Sequence, residues 1–181
     1  MNSGQLLLVI GALTLLSILE LSINSSILRA YVVSYDSEAT IDAISVGEAM
    51  IDEILTQAFD SVTTGTQTIT SPSQCTPTSR LGADLDTEKT ITGYDTVEYK
   101  SQIKFNDVDD YNHYRRIAKS PRLGNFTVTD TVFYVQEANL DAPSSSQTWY
   151  KKVLVTIKHP NLYSPIVMES LIVFRKYLPP S

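Results

Sequence analysis

Leu6-Leu7-Leu8-Val9-Ile10-Gly11-Ala12-Leu13-Thr14-Leu15-Leu16-Ser17-Ile18-Leu19 is the stretch on which the reading of this chain turns. No charged side chain occurs from Met1 to Leu19, and beyond Glu20 the apolar character continues through Leu21 and Ile23. That is close to the roughly 20 residues a helix needs to cross ~30 Å of hydrocarbon. The segment therefore reads as a membrane-compatible helix. A secretory signal peptide is the competing reading, because its h-region has a similar length. Here, however, the n-region holds no Lys or Arg and no A-x-A-like site follows. Arg29 is the only basic residue near either end, so loop charge gives no orientation.

The helical signal outlasts the greasy part. No Pro occurs before Pro72. Between Ile27 and Val62, apolar residues recur at helical spacing as Ile41, Ile44, Ile51, Ile54 or Leu55, Ala58 and Val62. Asp36, Glu38, Asp42, Glu48, Asp52, Glu53 and Asp60 fall mostly between them, which predicts an amphipathic continuation with an acidic outer face. The β-branched and Ser-rich stretch Ser22 to Ser34 has lower helix propensity and predicts a bend or a loosened turn, not a break. A lone amphipathic helix is marginal in water, so its apolar stripe is expected to lie on a sheet of the same chain.

From Thr63 the vocabulary changes to Thr, Ser, Gly and Pro, and residues 63–93 read as a long loop with one short strand at Gln67 to Thr70. Thr96 to Phe105 then alternates, with Val97, Tyr99, Ile103 and Phe105 on one face and Thr96, Glu98, Lys100, Gln102 and Lys104 on the other. Phe126 to Val135, Thr148 to Lys158 and Pro165 to Tyr177 are further strand candidates, rich in Val, Ile, Thr and aromatics. No second helix long enough for a parallel crossover is evident, so the strands are expected to pair antiparallel. The expected fold is α+β: one long N-terminal helix, apolar then amphipathic, packed on a roughly four-stranded antiparallel sheet. Its parts are residues 1–25 as a membrane or filament-core segment, 26–62 as the amphipathic continuation, and 63–181 as the β head.

Composition narrows the function. With 181 residues, a net charge of −6 and a pI near 4.8, the chain has no basic footprint for nucleic acid. The single cysteine, Cys75, excludes an intramolecular disulfide and a cysteine zinc cage. His113 and His159 have no motif partners, and no G-x-S-x-G, H-E-x-x-H or phosphate-cradling glycine loop occurs, so neither an enzyme nor a cofactor is expected.

The order of long helix, variable loop and strands resembles the type IV pilins and pseudopilins. Three stretches carry the resemblance: Gly4-Gln5-Leu-Leu-Leu-Val9, Phe105-Asn-Asp-Val-Asp-Asp-Tyr-Asn112 and Trp149-Tyr-Lys-Lys-Val-Leu-Val-Thr-Ile157. The first looks like a prepilin processing site, with a glycine ahead of the mature apolar segment. The other two are similar to a loop and a C-terminal strand of minor pilins of the mannose-sensitive haemagglutinin kind. The resemblance implies cleavage between Gly4 and Gln5 by a prepilin peptidase and storage in the cytoplasmic membrane. Transfer by inner-membrane assembly machinery into an extracellular filament of identical copies would follow. The chain departs from that pattern twice. Val9 stands where the family has its assembly glutamate, the nearest acid being Glu20, and the leader Met1 to Gly4 is short and lacks Lys or Arg. A tip subunit, a filament held by apolar helix packing, and an uncleaved chain all remain open. Two rival functions share the membrane segment: a single-pass anchor presenting an adhesin or sensor domain, and a secretion pseudopilin.

Four smaller features complete the candidates. Glu20 lies where the apolar segment would leave the membrane, and reads as an interfacial carboxylate or an inter-subunit contact. Asp107, Asp109, Asp110 and Asn112 offer oxygens of the kind calcium prefers, though without the EF-hand glycine or terminal glutamate; a solvated turn is the plainer reading, and no metal is favoured. Asn24 and Asn125 begin N-x-S/T sequons, Asn125 being farther from the membrane. Arg115, Arg116, Lys119 and Arg122 read either as a solvated loop or as a basic patch facing a neighbour's acidic helix.

Overall fold

The structure, a computed structural model, describes residues 2–65, 69–83 and 105–174. Helix α1 runs from Ser3 to Leu55, 53 residues without interruption, or ~80 Å at 1.5 Å per residue. The stretch Ser22 to Ser34 is α-helical throughout, so the loosened turn expected there does not occur. Its serines bond to the helix itself: the Ser25 and Ser26 hydroxyls both donate to the Ser22 carbonyl at 2.9 Å. The helix also stops earlier than Val62. After Leu55 the chain turns at Thr56, Ala58 makes a parallel bridge to Asp107, and Ser61–Thr63 forms one 3-10 turn capped by Asp60.

Five antiparallel strands form one sheet: β1 Arg115–Ser120, β2 Gly124–Gln136, β3 Asn139–Pro143, β4 Tyr150–Lys158 and β5 Ile166–Val173. They are ordered β1-β2-β4-β5, and β3 pairs with the far end of β2 after a bulge at Val135/Gln136. Strands β2, β4 and β5 lie on the candidates of the sequence. The expected strand Thr96 to Phe105 lies outside the described residues except for Phe105, which is buried against Tyr111 and Tyr114 at ring distances of 4.8 and 5.3 Å. The short strand expected at Gln67 to Thr70 overlaps the described residues at Ile69 and Thr70, which are not in a strand. Two strands were not expected. β1 lacks an apolar alternation, and β3 is a five-residue, fully exposed hairpin arm.

The helix lies across β4 and β5. Its buried face is Ala39, Ala43, Gly47, Met50 and Ile54, spaced four, four, three and four residues apart. This corrects the expected stripe: Ile41 is 64% exposed, Ile44 39% and Leu55 48%, and of that set Ile54 is fully buried with Ile51 partly so. The reason is space. The sheet fills the interface with Val153, Val155, Ile157 and Met168, so the helix presents its smallest side chains and approaches closely. A Cβ on Gly47 would fall 2.9 Å from Ile157 Cδ1 and closer still to Met168 Sδ. A second cluster, Phe59, Ile69, Cys75 and Tyr134, closes the lower end of the sheet, where Trp149 stacks on Phe174 at 5.0 Å.

Candidate functional site

Two regions carry unusual chemistry: the free part of α1 and a buried ionic cluster under the sheet. Every residue from Asn2 to Ser37 is exposed, the apolar ones included (Val9 at 47%, Leu16 at 60%, Val32 at 69%), and at the end nearest the head Val32, Val33 and Tyr35 line an open cleft with Pro160, Leu162 and Tyr163. By length and composition α1 is able to cross a membrane: its most apolar window has a mean hydropathy of 2.4 and none of that window is buried. Two hydroxyls in the apolar run turn inward on their own backbone: Thr14 and Ser17 donate to the Gly11 and Leu13 carbonyls at 2.9 and 3.0 Å, so the surface between Leu6 and Leu19 is mainly alkyl. Gly4 and Gln5 lie in the first turn, where Gln5 Oε1 accepts the Asn2 N–H at 3.4 Å. Val9 and Glu20 are exposed farther along the same rod.

Two of the four basic residues meet acids of their own chain. Arg116 points inward from β1 to Glu53 of the chain's own helix, 2.6 Å away, and Arg122 reaches Glu38 at 3.0 Å. Between them the Ser120 hydroxyl donates to Asp42 Oδ2 at 2.7 Å. The acidic face of α1 is thus met along this edge by β1 and the turn after it, within one chain. Near this seam Asp130 is buried on β2, and burial pushes its carboxyl well above the usual range against the opposing pull of Arg116.

The second region gathers Asp60, Asp107, Asp109, Asp110 and Lys151, all at most 2% exposed. Lys151 is wholly buried, with Nζ 2.7 Å from Asp109 Oδ1, 3.1 Å from Asp60 Oδ2 and donating to the Phe59 carbonyl at 2.6 Å. Its ammonium also stands 4.3 Å from the Phe59 ring centre and 5.0 Å from that of Tyr134. The two carboxylates that face it differ in surroundings. Asp60 accepts from the Thr76 N–H at 2.9 Å, the Thr76 hydroxyl at 3.1 Å and the Val62 N–H at 3.3 Å, with the Tyr134 hydroxyl at 3.2 Å. Burial opposes its charge, but Lys151 and these donors outweigh it, and its pKa is lowered. Asp109 receives no backbone N–H among the described residues, and burial raises it to about 6 despite Lys151.

Asp107, Asp109, Asp110 and Asn112, the calcium candidates, are buried or half-buried in one turn and not solvated. Asp107 Oδ1 accepts the N–H groups of Asp109 and Asp110 at 2.7 and 3.3 Å, and Asp110 Oδ2 accepts those of Asn106 and Asp107 at 2.9 and 3.2 Å. Asn112 donates to the Leu81 carbonyl and accepts from the Val132 N–H, both at 3.0 Å. These groups knot their own loop and aim Asp109 at Lys151. Among the described residues no group of three or more His, Cys, Asp or Glu side chains is placed to hold a metal. Burial, then the charges of Asp109 and Asp110, raise Asp107 to about 8.

Asp60 and Glu53, expected on an acidic outer face, and Arg116, expected in a basic loop or patch, are instead drawn into the fold, as are Lys151 and Asp130, which were not singled out. A signal was present for three of them: Lys151 is in phase with Val153, Val155 and Ile157, Asp130 with Phe126, Val128, Val132 and Tyr134, and Arg116 with Ala118. A charge at an inward position of a period-two strand demands a buried partner. Of the other candidates, Asn24 lies on the free part of α1, Asn125 on the sheet, and Cys75 beside Phe59 and Tyr134 at the ionic cluster. Asn125 is exposed at the start of β2, Asn24 is exposed on α1, and Cys75 is buried with its thiol pushed up to about 11 by burial and the Asp60 charge. Compared with models of known protein families, with curated proteins and with solved structures, the chain matches none.

Proposed function

We propose that this chain is a structural subunit of a type IV pilus-like filament, held in the membrane by α1 and then assembled with copies of itself through that helix. The observation that carries the reading is a mismatch of lengths. The exposed helix from Asn2 to Ser37 is 36 residues long, ~54 Å, whereas a bilayer core takes roughly 20 residues. Placing the first part in lipid leaves Ile27, Leu28, Tyr31, Val32, Val33 and Tyr35 outside it, each about half exposed or more. Apolar surface on that scale in water is unfavourable. In a bundle of identical helices it is covered by neighbours, and the heads form the coat.

Two charges lie in that helix before Asp36, Glu20 and Arg29. They are nine residues apart, which is ~13.5 Å and two and a half turns, so they sit on opposite faces of one helix and cannot pair within it. Buried in a bundle, each needs a counter-charge. Glu20 of one copy against Arg29 of the next satisfies both and sets the axial stagger, a part that the missing glutamate at Val9 leaves open. The filament's location at the cell surface and its processing after Gly4 belong to the same proposal.

Electron microscopy of sheared surface material, with the subunit identified by mass, tests the reading. Filaments containing this chain support it, and a chain found solely as membrane monomer points instead to an anchored β domain. Mass determination of the mature N-terminus decides processing: an intact Met1 removes the cleavage.

A further inference from the structure

The buried cluster has more chemistry than an ion pair. Lys151 projects from β4 into a pocket closed by Phe59 and Tyr134, and its Nζ touches two carboxylates. The three side chains are 0%, 0% and 2% exposed. In such a pocket charged forms lose their hydration, so an ammonium and a carboxylate are destabilised relative to the neutral amide and water they condense to. Proximity supplies the rest, because a fixed amine and carboxyl react at effective concentrations unattainable in solution.

We propose that Lys151 and Asp109 are a modification site, at which the folded head forms an intramolecular isopeptide bond between the Lys151 Nζ and the Asp109 Cγ.

The two carboxylates have separate parts because their environments separate them. Asp60, fixed by donors from Thr76 and Val62, is the ionised one and takes a proton from the Lys151 ammonium across 3.1 Å. Asp109, short of donors and held nearer its neutral form, is the electrophile; its Oδ1 is 2.7 Å from Nζ. The freed amine lone pair attacks Asp109 Cγ and forms the C–N bond. The tetrahedral carbon then expels its hydroxyl, which leaves as water with a second proton from the nitrogen. One proton stays on the amide nitrogen and one on Asp60, so the products are a secondary amide, one water and protonated Asp60. No oxidant, reductant or cofactor enters. The Tyr134 hydroxyl lies 2.9 Å from the Thr76 carbonyl and 3.2 Å from Asp60 Oδ2, and closes the pocket on that side. The bond would tie β4 to the turn at Asp109–Tyr111, two segments 42 residues apart in sequence, and would hold the head against extension by a covalent link that neither denaturant nor reductant opens.

Peptide mass spectrometry of the full-length protein, purified in detergent, tests this directly. The expected result is a branched peptide joining the segments of Lys151 and Asp109, lighter by one water than their sum, with fragment ions placing the link between those two residues. Separate, unmodified Lys151 and Asp109 peptides from folded wild-type protein overturn the proposal, as does a link mapped to Asp60. Asp60→Asn is expected to abolish the branched peptide while the head still folds, judged by near-ultraviolet dichroism of Trp149. A folded Asp60→Asn protein with undiminished linkage overturns the role given to Asp60. The wild-type measurement needs no variant, so a misfolded mutant does not shelter the idea.

Discussion

Arg116 Nη1 sits 2.6 Å from Glu53 Oε2, joining strand β1 to the last turn of α1 with side chains only 11% and 14% exposed. The Tyr111 hydroxyl donates to the other Glu53 oxygen at 3.0 Å, so one carboxylate ties the helix to both the edge strand and the Asp-rich turn. Removing one member of a buried pair strands the other, at a cost of about 3 kcal/mol. Arg116→Ala is therefore expected to lower the urea midpoint of the full chain sharply, followed by fluorescence of the single Trp149. Glu53→Leu combined with Arg116→Met is expected to cost less than the two single changes added together. Simple additivity would mean the pair does not couple the elements.

Gly47 sets how closely α1 lies on the sheet. Alanine there gains up to about 1 kcal/mol of helix propensity. Against this stands a Cβ that meets the mobile end of Met168 and lies 2.9 Å from Ile157 Cδ1. The two effects nearly offset, so Gly47→Ala is expected within about 1 kcal/mol of wild type. Gly47→Leu has no such escape and is expected to cost about 3 kcal/mol or more. Thermal melts of both variants check the contrast; a tolerated leucine would show that the helix is free to lift.

Asp107 gives the head a pH signature. Its folded pKa of about 8 is above the ordinary carboxylate value. Between about pH 4 and pH 8 the native state therefore keeps a proton that the unfolded chain has released, and stability falls as pH rises, by at most ~1.4 kcal/mol per unit. Asp109, raised to about 6, acts in the same direction over the lower part of that window when its carboxyl is free. Asp60 is lowered, so its contribution is lost only on acidification below the ordinary carboxylate range. Asp107→Asn keeps an oxygen for the Asp109 and Asp110 N–H groups. It is expected to flatten the decline in urea midpoint between about pH 5 and pH 8. An unchanged slope would assign the effect elsewhere.

Assembly is expected to fail without loss of the head when the free helix is altered. Val32 is 69% exposed in the single chain, so Val32→Asp should change head stability by less than about 0.5 kcal/mol. The same change places a charge in the proposed bundle and should abolish filaments in electron micrographs. Glu20→Arg and Arg29→Glu are each expected to do likewise, and the double exchange to restore fibres. Normal assembly of Glu20→Leu would remove Glu20 from any contact between copies.

Where one physical rule acts on neighbouring residues, the sequence was legible. The uncharged run from Met1 to Leu19 and the absence of Pro before Pro72 made α1 readable as one rod. Segments rich in Val, Ile, Thr and aromatics marked β2, β4 and β5 to within a few residues. β1 escaped because its inward positions hold Arg116 and Ala118, which look like a loop until Glu53 and the Phe126 neighbourhood are known.

The sequence by itself determined the α+β class, the apolar helix and the place of the three long strands, because apolar runs and strand-forming composition are properties of contiguous residues. It did not determine which stripe of α1 meets the sheet. Ile41 and Ile44 were the more hydrophobic choice, yet Ala39, Ala43 and Gly47 are buried, since packing is decided by the volume already filled by Ile157 and Met168 on the other side. Nor did it determine that Lys151 meets Asp60 and Asp109. Charges separated by 42 and 91 residues acquire partners only when the fold removes their water, and that removal is a property of the tertiary structure alone.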